Sequence, residues 1–450
     1  MKKITLFIIL FLNTLTVFSQ SQKIVMDDVD HFWIAFDSVK IQPNKDKKID
    51  VMKRLYFDKG SEGLKAFVEE RHASPEILVN LILELPKYWE SLRPRMKLLK
   101  EKKEQLEIKI LTFKKIYPDL KDSKIYFLIG RINSGGTTQK DKVLIGSEIA
   151  LGDKSVITSD FDGNWLREIF DASDDNRLVS LNIHEYVHTQ QKLENENKTN
   201  LLGNAILEGA CDFISELVCG NYSTNYIPFY QKNELEIWSV FYNEMNGKAK
   251  SNWIGTGGNP LLPCSDLGYA IGYKICKNYY NNSKNKQLAI KEIIELDYEN
   301  EIAVANFFEK SGYEKHLKSI GFKPNTKKTI EGFIQNKETI TFIFDLSKKI
   351  VGNGNNQTKI FTKEDLENIK TINVAGDFNK WDFKNPEFKL TKTANNSYQI
   401  TVQKSKIGVK DYKGYFKFVI DEQYWIEPQF KTTNKGSADS NSTNLYLTIN

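Results

Sequence analysis

Two histidines four residues apart, His184 and His188, with Glu185 directly after the first, constrain this chain more than any other feature. Side chains at i and i+4 stack on one face of an α-helix, so both imidazoles reach a single ion only if residues 178–191 (LVSLNIHEYVHTQQ) are helical. Glu185 then projects beside them, toward the side where a metal would keep an open position. The chain has 5 histidines among 450 residues, which makes chance a poor explanation for that spacing. A catalytic zinc takes three protein ligands and one water, so a third donor is required. Glu208 is the first candidate. It lies 20 residues after His188 on a second helical pattern, 201–220, whose Ile206, Ala210, Phe213 and Leu217 form a packed stripe. Asp212, one turn beyond Glu208, is placed to accept a hydrogen bond from a ligating imidazole and fix its tautomer.

These residues resemble the gluzincin metallopeptidases of thermolysin type, whose pattern is His-Glu-x-x-His followed at this distance by Glu-x-x-x-Asp. The resemblance implies His184, His188 and Glu208 as zinc ligands, Glu185 as general base on a zinc-activated water, and Asp212 as the residue that orients a ligand. A looser likeness to bacterial predicted zinc proteases of undefined substrate runs through Glu208-Gly209-Ala210 and residues 266–273 (DLGYAIGY). Glu194 is a rival third ligand, because metzincins place theirs six residues after the second histidine. Those enzymes turn on a glycine, and here Gln191 holds that place. A partner for the developing oxyanion is also expected. Tyr269, Tyr273 and His316 are candidates, with Tyr273 carried forward as a second catalytic residue.

The start of the chain has Lys2 and Lys3 ahead of an apolar run from Ile4 to about Val17 and small residues near Ser19, which reads as a secretory signal over residues 1–20. An exported protein, periplasmic or secreted and without a membrane span after signal removal, is the expectation. Losing the two lysines lowers the formal charge from +5 to +3, too small a bias for a nucleic-acid partner. The lysine-rich stretch 93–115 carries interleaved glutamates and a helical apolar stripe, so it reads as a solvated helix face. Cys211, Cys219, Cys264 and Cys276 form no Cys-x-x-Cys pair, and their pairing is left open.

Helical periodicity covers 62–70, 75–85, 174–191 and 201–219 and continues to about residue 317, while 124–129 and 143–151 read as strands. Near residue 323 the composition turns polar. Beyond it only short strands are expected, at 339–345, 371–375, 398–403, 415–420 and 445–449. The fold class is therefore α+β: an α-rich zincin-like domain with a small sheet at 21–325, a linker at 326–335, and an immunoglobulin-like β-sandwich at 336–450.

Within the sandwich, residues 374–381 (VAGDFNKW) and the later Tyr415-x-Lys417-Phe418-x-x-Asp421 strand resemble the glycogen-binding modules of AMP-activated kinase β subunits. The resemblance implies Trp381 and Trp425 as platforms for sugar rings and Lys417 as a partner for hydroxyls, with an asparagine at 441 or 444. An α-glucan is thus a second candidate partner beside a peptide or protein substrate. The alternative for the pair is internal packing, with the sandwich a spacer. Two functions follow: an exported zinc metallopeptidase, or a non-catalytic glycan-binding protein on an inactive peptidase fold.

Overall fold

The computed structural model describes residues 23–449 except 162–164, 175, 196–197, 221–223, 256–261, 263, 325–330, 355–356, 394–396, 409–411, 430–431, 433 and 437–442. The expected signal, residues 326–330 of the expected linker and Asn441 lie outside the described residues. The architecture is α+β, with helices around a small sheet first and antiparallel strands after residue 330.

Six helices separate β1 (Ile24–Val25) from β2 (Lys124–Leu128): α1 (Asp27–Lys40), α2 (Lys45–Met52), α3 (Glu62–Arg71), α4 (Pro75–Glu84), α5 (Pro86–Leu92) and α6 (Lys97–Ile116). Their starts follow local chemistry. Ser61 accepts from the Gly63 and Leu64 amides at the head of α3, and Ser74 caps α4 ahead of Pro75. In α6 only Leu99, Leu106 and Phe113 are buried, one every second turn, and among the lysines of the other faces Lys109 reaches the Val218 and Cys219 carbonyls that end α10.

The first sheet has the order β1-β2-β4-β3, where β3 is Thr137–Gln139 and β4 is Lys142–Gly146. β1, β2 and β4 are parallel, and β3 runs antiparallel to β4 along one edge. The continuous strand expected over 143–151 stops at Gly146. A Cβ there would stand 2.2 Å from the Ser134 carbonyl oxygen, so the chain turns, and Ser147–Ala150 forms a single helical turn, α7.

From here α8 (Trp165–Asp171), α9 (Arg177–His188), α10 (Leu201–Cys219), α11 (Tyr226–Glu244), α12 (Leu267–Asn282), α13 (Lys286–Ile294), α14 (Glu301–Ser311) and α15 (Tyr313–Ser319) complete the helical part. The Tyr186 hydroxyl accepts from the Ser123 amide at 2.8 Å, which ties α9 to the approach of β2. Asn200 caps α10, and Gly220 ends it in the left-handed region at φ +89°. α10 and α12 then meet backbone on backbone. A Cβ on Gly209 would lie 2.0 Å from the Tyr273 amide nitrogen, and one on Gly272 would lie 1.7 Å from the Ala205 carbonyl oxygen.

The remaining strands are β5 (Phe333–Gln335), β6 (Thr339–Asp345), β7 (Val351–Gly354), β8 (Gln357–Ile360), β9 (Ile372–Gly376), β10 (Thr391–Lys392), β11 (Ser397–Gln403), β12 (Lys413–Ile420), β13 (Tyr424–Ile426), β14 (Lys435–Gly436) and β15 (Asn444–Thr448). β5 falls within the stretch expected as linker. One sheet is ordered β10-β11-β6-β5; the other is β14-β15-β12-β13-β7-β8, with β9 also on β12. Their apolar faces meet through Phe342 on Phe416 at 5.2 Å and Phe344 on Phe418 at 5.1 Å between ring centroids.

Buried apolar side chains gather into two separate cores, one drawn from residues 24–322 and one from 333–449. Between them Lys435 Nζ pairs with Glu244 Oε1 at 2.8 Å, both side chains nearly out of water. Among the described residues no helix is long and apolar enough to cross a membrane.

Candidate metal centre

The α9 pattern puts His184 and His188 on one face, their ring centroids 5.0 Å apart. α10 crosses beside them, held in part by the Ser215 hydroxyl donating to the Ser180 carbonyl at 2.8 Å. That crossing brings Glu208 Oε2 to 3.2 Å from His188 Nε2 and 3.5 Å from His184 Nε2. Three donors at the corners of a tetrahedron with metal bonds near 2.05 Å would be about 3.3 Å apart. The two separations from Glu208 match that spacing.

The other ring nitrogens are used from behind. His184 Nδ1 donates to Asp212 Oδ1 at 2.8 Å, and Asp212 Oδ2 accepts from the Tyr226 hydroxyl at 2.7 Å. His188 Nδ1 donates to Gln191 Oε1 at 2.8 Å, and Gln191 Nε2 donates to the Leu207 carbonyl at 2.9 Å. With both Nδ1 atoms engaged, the Nε2 atoms are left to face Glu208. Gln191, which replaces the glycine of the rival motif, thus orients an imidazole. Of the two acids weighed as third ligand, Glu208 is the one within 4 Å of the rings among the described residues. Glu194 lines the same cavity but is exposed, and its amide is bound to Glu299.

Cys211 was not foreseen here. Its thiol lies 3.4 Å from His188 Nδ1, and His184, His188 and Cys211 present donor atoms within 4.8 Å of one another, a second set able to hold a metal ion. The signal was available, since Cys211 follows Glu208 by three residues and so shares its helix face. Burial pushes its thiol well above the ordinary range, with Glu208 and Asp212 adding to the effect. All four cysteines are free thiols.

Charge is concentrated at this point. Burial alone would raise Glu208, yet the imidazoles of His188 and His184 outweigh it and hold the carboxyl far below its usual range. Burial would likewise lower His184, but its bonds to Asp212 and Glu208 carry it well above an ordinary histidine. Glu185 is raised, chiefly by burial and secondarily by Glu208, while both imidazoles and Arg71 oppose the rise.

A cavity of about 680 Å³ opens over these groups, lined by His184, Glu185, His188, Glu208 and Tyr269 on one side and by α3 and the β3 edge on the other. Gly136, just before β3, approaches Glu185 so closely that a Cβ would stand 2.5 Å from Oε1. Tyr269 lies with its ring 6.2 Å from His184, and burial raises its hydroxyl well above the ordinary range.

Tyr273, expected as a second catalytic residue, is placed away from the metal donors. One turn further along α12 its hydroxyl donates to Glu216 Oε2 at 2.8 Å and accepts from Lys277 at 2.6 Å, and it does not line the cavity. His316 is placed elsewhere again, 3.1 Å from Glu234 Oε1.

In the C-terminal sheets, Trp381 and Trp425 are adjacent, with centroids 6.1 Å apart, both half-buried and flanked by Phe383. Lys417 departs from its expected role. Its ammonium is buried on Glu427 Oε1 at 2.7 Å, with each side chain about 6% exposed, so it offers no free donor to a sugar at the surface. The alternation of β12 turns it away from the inward-facing Phe416 and Phe418 to the other face of the sheet, where it is covered beside that carboxylate.

No curated protein matches the chain. Residues 161–302, which run from just ahead of α8 to the start of α14 and carry every metal-centre donor, match a family described as predicted Zn-dependent proteases (DUF2268).

Proposed function

We propose that the chain is an exported zinc-dependent peptidase in which His184, His188 and Glu208 hold the metal and Glu185 serves as general base. The observation that carries this reading is the meeting of two Nε2 atoms and one carboxylate oxygen at 3.2 and 3.5 Å, with every rear-facing nitrogen already bonded. Two imidazoles and a carboxylate are a donor set that zinc takes in hydrolases. Glu208 is preferred to Cys211 because the thiol approaches the nitrogen of His188 that Gln191 already engages. Zinc bound there supplies Lewis acidity toward a peptide carbonyl and acidifies a water.

The chain's own residues do the rest. Glu185, held against Gly136 and open to the cavity, takes a proton from the water and passes it to the leaving amine. Tyr269, protonated and lining the same space, replaces Tyr273 as the donor toward the carbonyl oxygen. A glycan-binding role for the C-terminal sheets rests on the Trp381–Trp425 pair alone, since Lys417 is buried.

The test is Glu185→Gln, compared with the native protein for bound zinc and for chelator-sensitive cleavage of a peptide library. The variant is expected to keep about one zinc per chain and to lose at least 100-fold in kcat. Full turnover in that variant rules out the assigned base.

A further inference from the structure

Among the lining residues of the cavity is a cation that forms no ion pair among the described residues. Arg71 closes α3 and lines the same space as Glu185 and His188. Its Nε is shielded from solvent with no hydrogen-bond partner, and no carboxylate among the described residues forms an ion pair with it. Neighbouring acids are committed elsewhere: Glu69 and Glu70 both accept from Gln139 Nε2, at 3.0 and 3.1 Å. Arginine kept for solubility stands in water, and arginine kept for structure finds a carboxylate or carbonyl. Arg71 does neither. A guanidinium presents a planar fork of donors whose spacing matches the two oxygens of a carboxylate. Lys140, in the turn between β3 and β4, adds a second cation to the lining, while the lining acids Glu70 and Glu194 are both exposed.

Resting on the peptidase reading above, we propose that Arg71 is a specificity-determining residue that binds a carboxylate of the substrate, so that the enzyme selects peptides with a negative charge close to the cleaved bond. That carboxylate comes from an acidic side chain or from a free C-terminus, and the two sources are separable.

The experiment uses three peptides that differ only in charge: one with glutamine and an amidated end, one with glutamate in place of the glutamine, and one with glutamine and a free C-terminal carboxylate. kcat and KM are measured on the full-length zinc-loaded protein, on Arg71→Gln and on Arg71→Lys. Binding of the same peptides to the Glu185→Gln protein is followed by calorimetry. One charged peptide is expected to exceed the neutral one by roughly tenfold in kcat/KM, mostly through KM, as a charge-assisted hydrogen bond implies. In Arg71→Gln that ratio is expected to fall to near one, and in Arg71→Lys to be partly kept. A gain with glutamate identifies an internal acidic side chain, and a gain with the free end identifies a terminal carboxylate. Equal kcat/KM for all three peptides, or a preference that survives Arg71→Gln, overturns the proposal. If no peptide is cleaved the peptidase reading itself fails, and calorimetry still decides the role of Arg71: equal affinities for charged and neutral peptides overturn it.

Discussion

A single methyl group at Gly136 is expected to disable catalysis while leaving the fold and the metal intact. A Cβ there would stand 2.5 Å from Oε1, 2.7 Å from Cγ and 2.8 Å from Cδ of Glu185. Ordinary contacts to carbon need about 3.5 Å, so the overlap is about 1 Å deep. Gly136 is not in the left-handed region, and alanine adds no backbone strain. What must yield is the end of Glu185, which lines the cavity and has space on that side. Nothing in the core is displaced, and the stability change should stay below about 1 kcal/mol. A general base misplaced by about 1 Å loses on the order of 100-fold in rate. Gly136→Ala should therefore show kcat down about 100-fold, with KM, zinc content and unfolding midpoint close to the native values. Steady-state kinetics, metal analysis and thermal unfolding on one preparation check all four quantities. Native kcat in a fully loaded variant would refute the placement of Glu185 as the base. Loss of zinc in step with loss of rate would refute the claim that only the base has moved.

Other perturbations probe the scaffold. Gly272→Ala puts a Cβ 1.7 Å from the Ala205 carbonyl oxygen, where backbone meets backbone and neither helix can turn aside. It should cost 3 kcal/mol or more by urea denaturation, and a loss under about 1 kcal/mol would mean the helices are not in contact there. Asp212→Ala removes the acceptor of both His184 Nδ1 and the Tyr226 hydroxyl, so zinc affinity measured by chelator competition should fall about 10- to 100-fold. An unchanged affinity would show that His184 does not need that support. Glu148 is fully buried, with Oε2 unpartnered, and burial lifts its carboxyl from 4.5 to about 7. Because the folded state holds this proton more tightly than the unfolded chain, the stabilising effect is complete below 4.5 and disappears as pH rises through about 7. Glu148→Gln should flatten that part of the stability curve and gain about 3 kcal/mol over the native protein near pH 8, whereas parallel curves for the two would exclude it.

Helix limits were legible wherever capping chemistry is local. Asn200 and Gly220 bracket α10 at the ends that periodicity implied, and Ser61 and Ser74 do the same for α3 and α4. The longer C-terminal strands were equally plain, because alternation over six or seven residues has few other readings. β3 was not, being three residues of polar character after two glycines, yet it forms the edge that flanks Glu185. At the site, spacing along each helix related His184 to His188 on α9 and Glu208 to Asp212 on α10. It could not say how α10 and α12 cross. That angle is set by Gly209 and Gly272, and it is what brings Tyr269 rather than Tyr273 to the cavity. Arg71 was missed for the same reason, since it acquires its meaning from residues on other elements, whereas Cys211 and Gln191 sit one turn from a predicted ligand and were within reach of spacing alone.

The glycine contact between α10 and α12 also divides the cavity into two walls of unequal tolerance. One carries Glu208 and Tyr269 on α10 and α12, locked together backbone on backbone, where almost any added atom is rejected. The other is a short edge strand and the last turn of a helix, bridged by Gln139 on Glu69 and Glu70. For the proposed peptidase, variation in what is accepted can therefore accumulate at Arg71, Gln139 and Lys140 while the reaction centre stays unaltered, which makes those three positions the natural ones at which to redirect it.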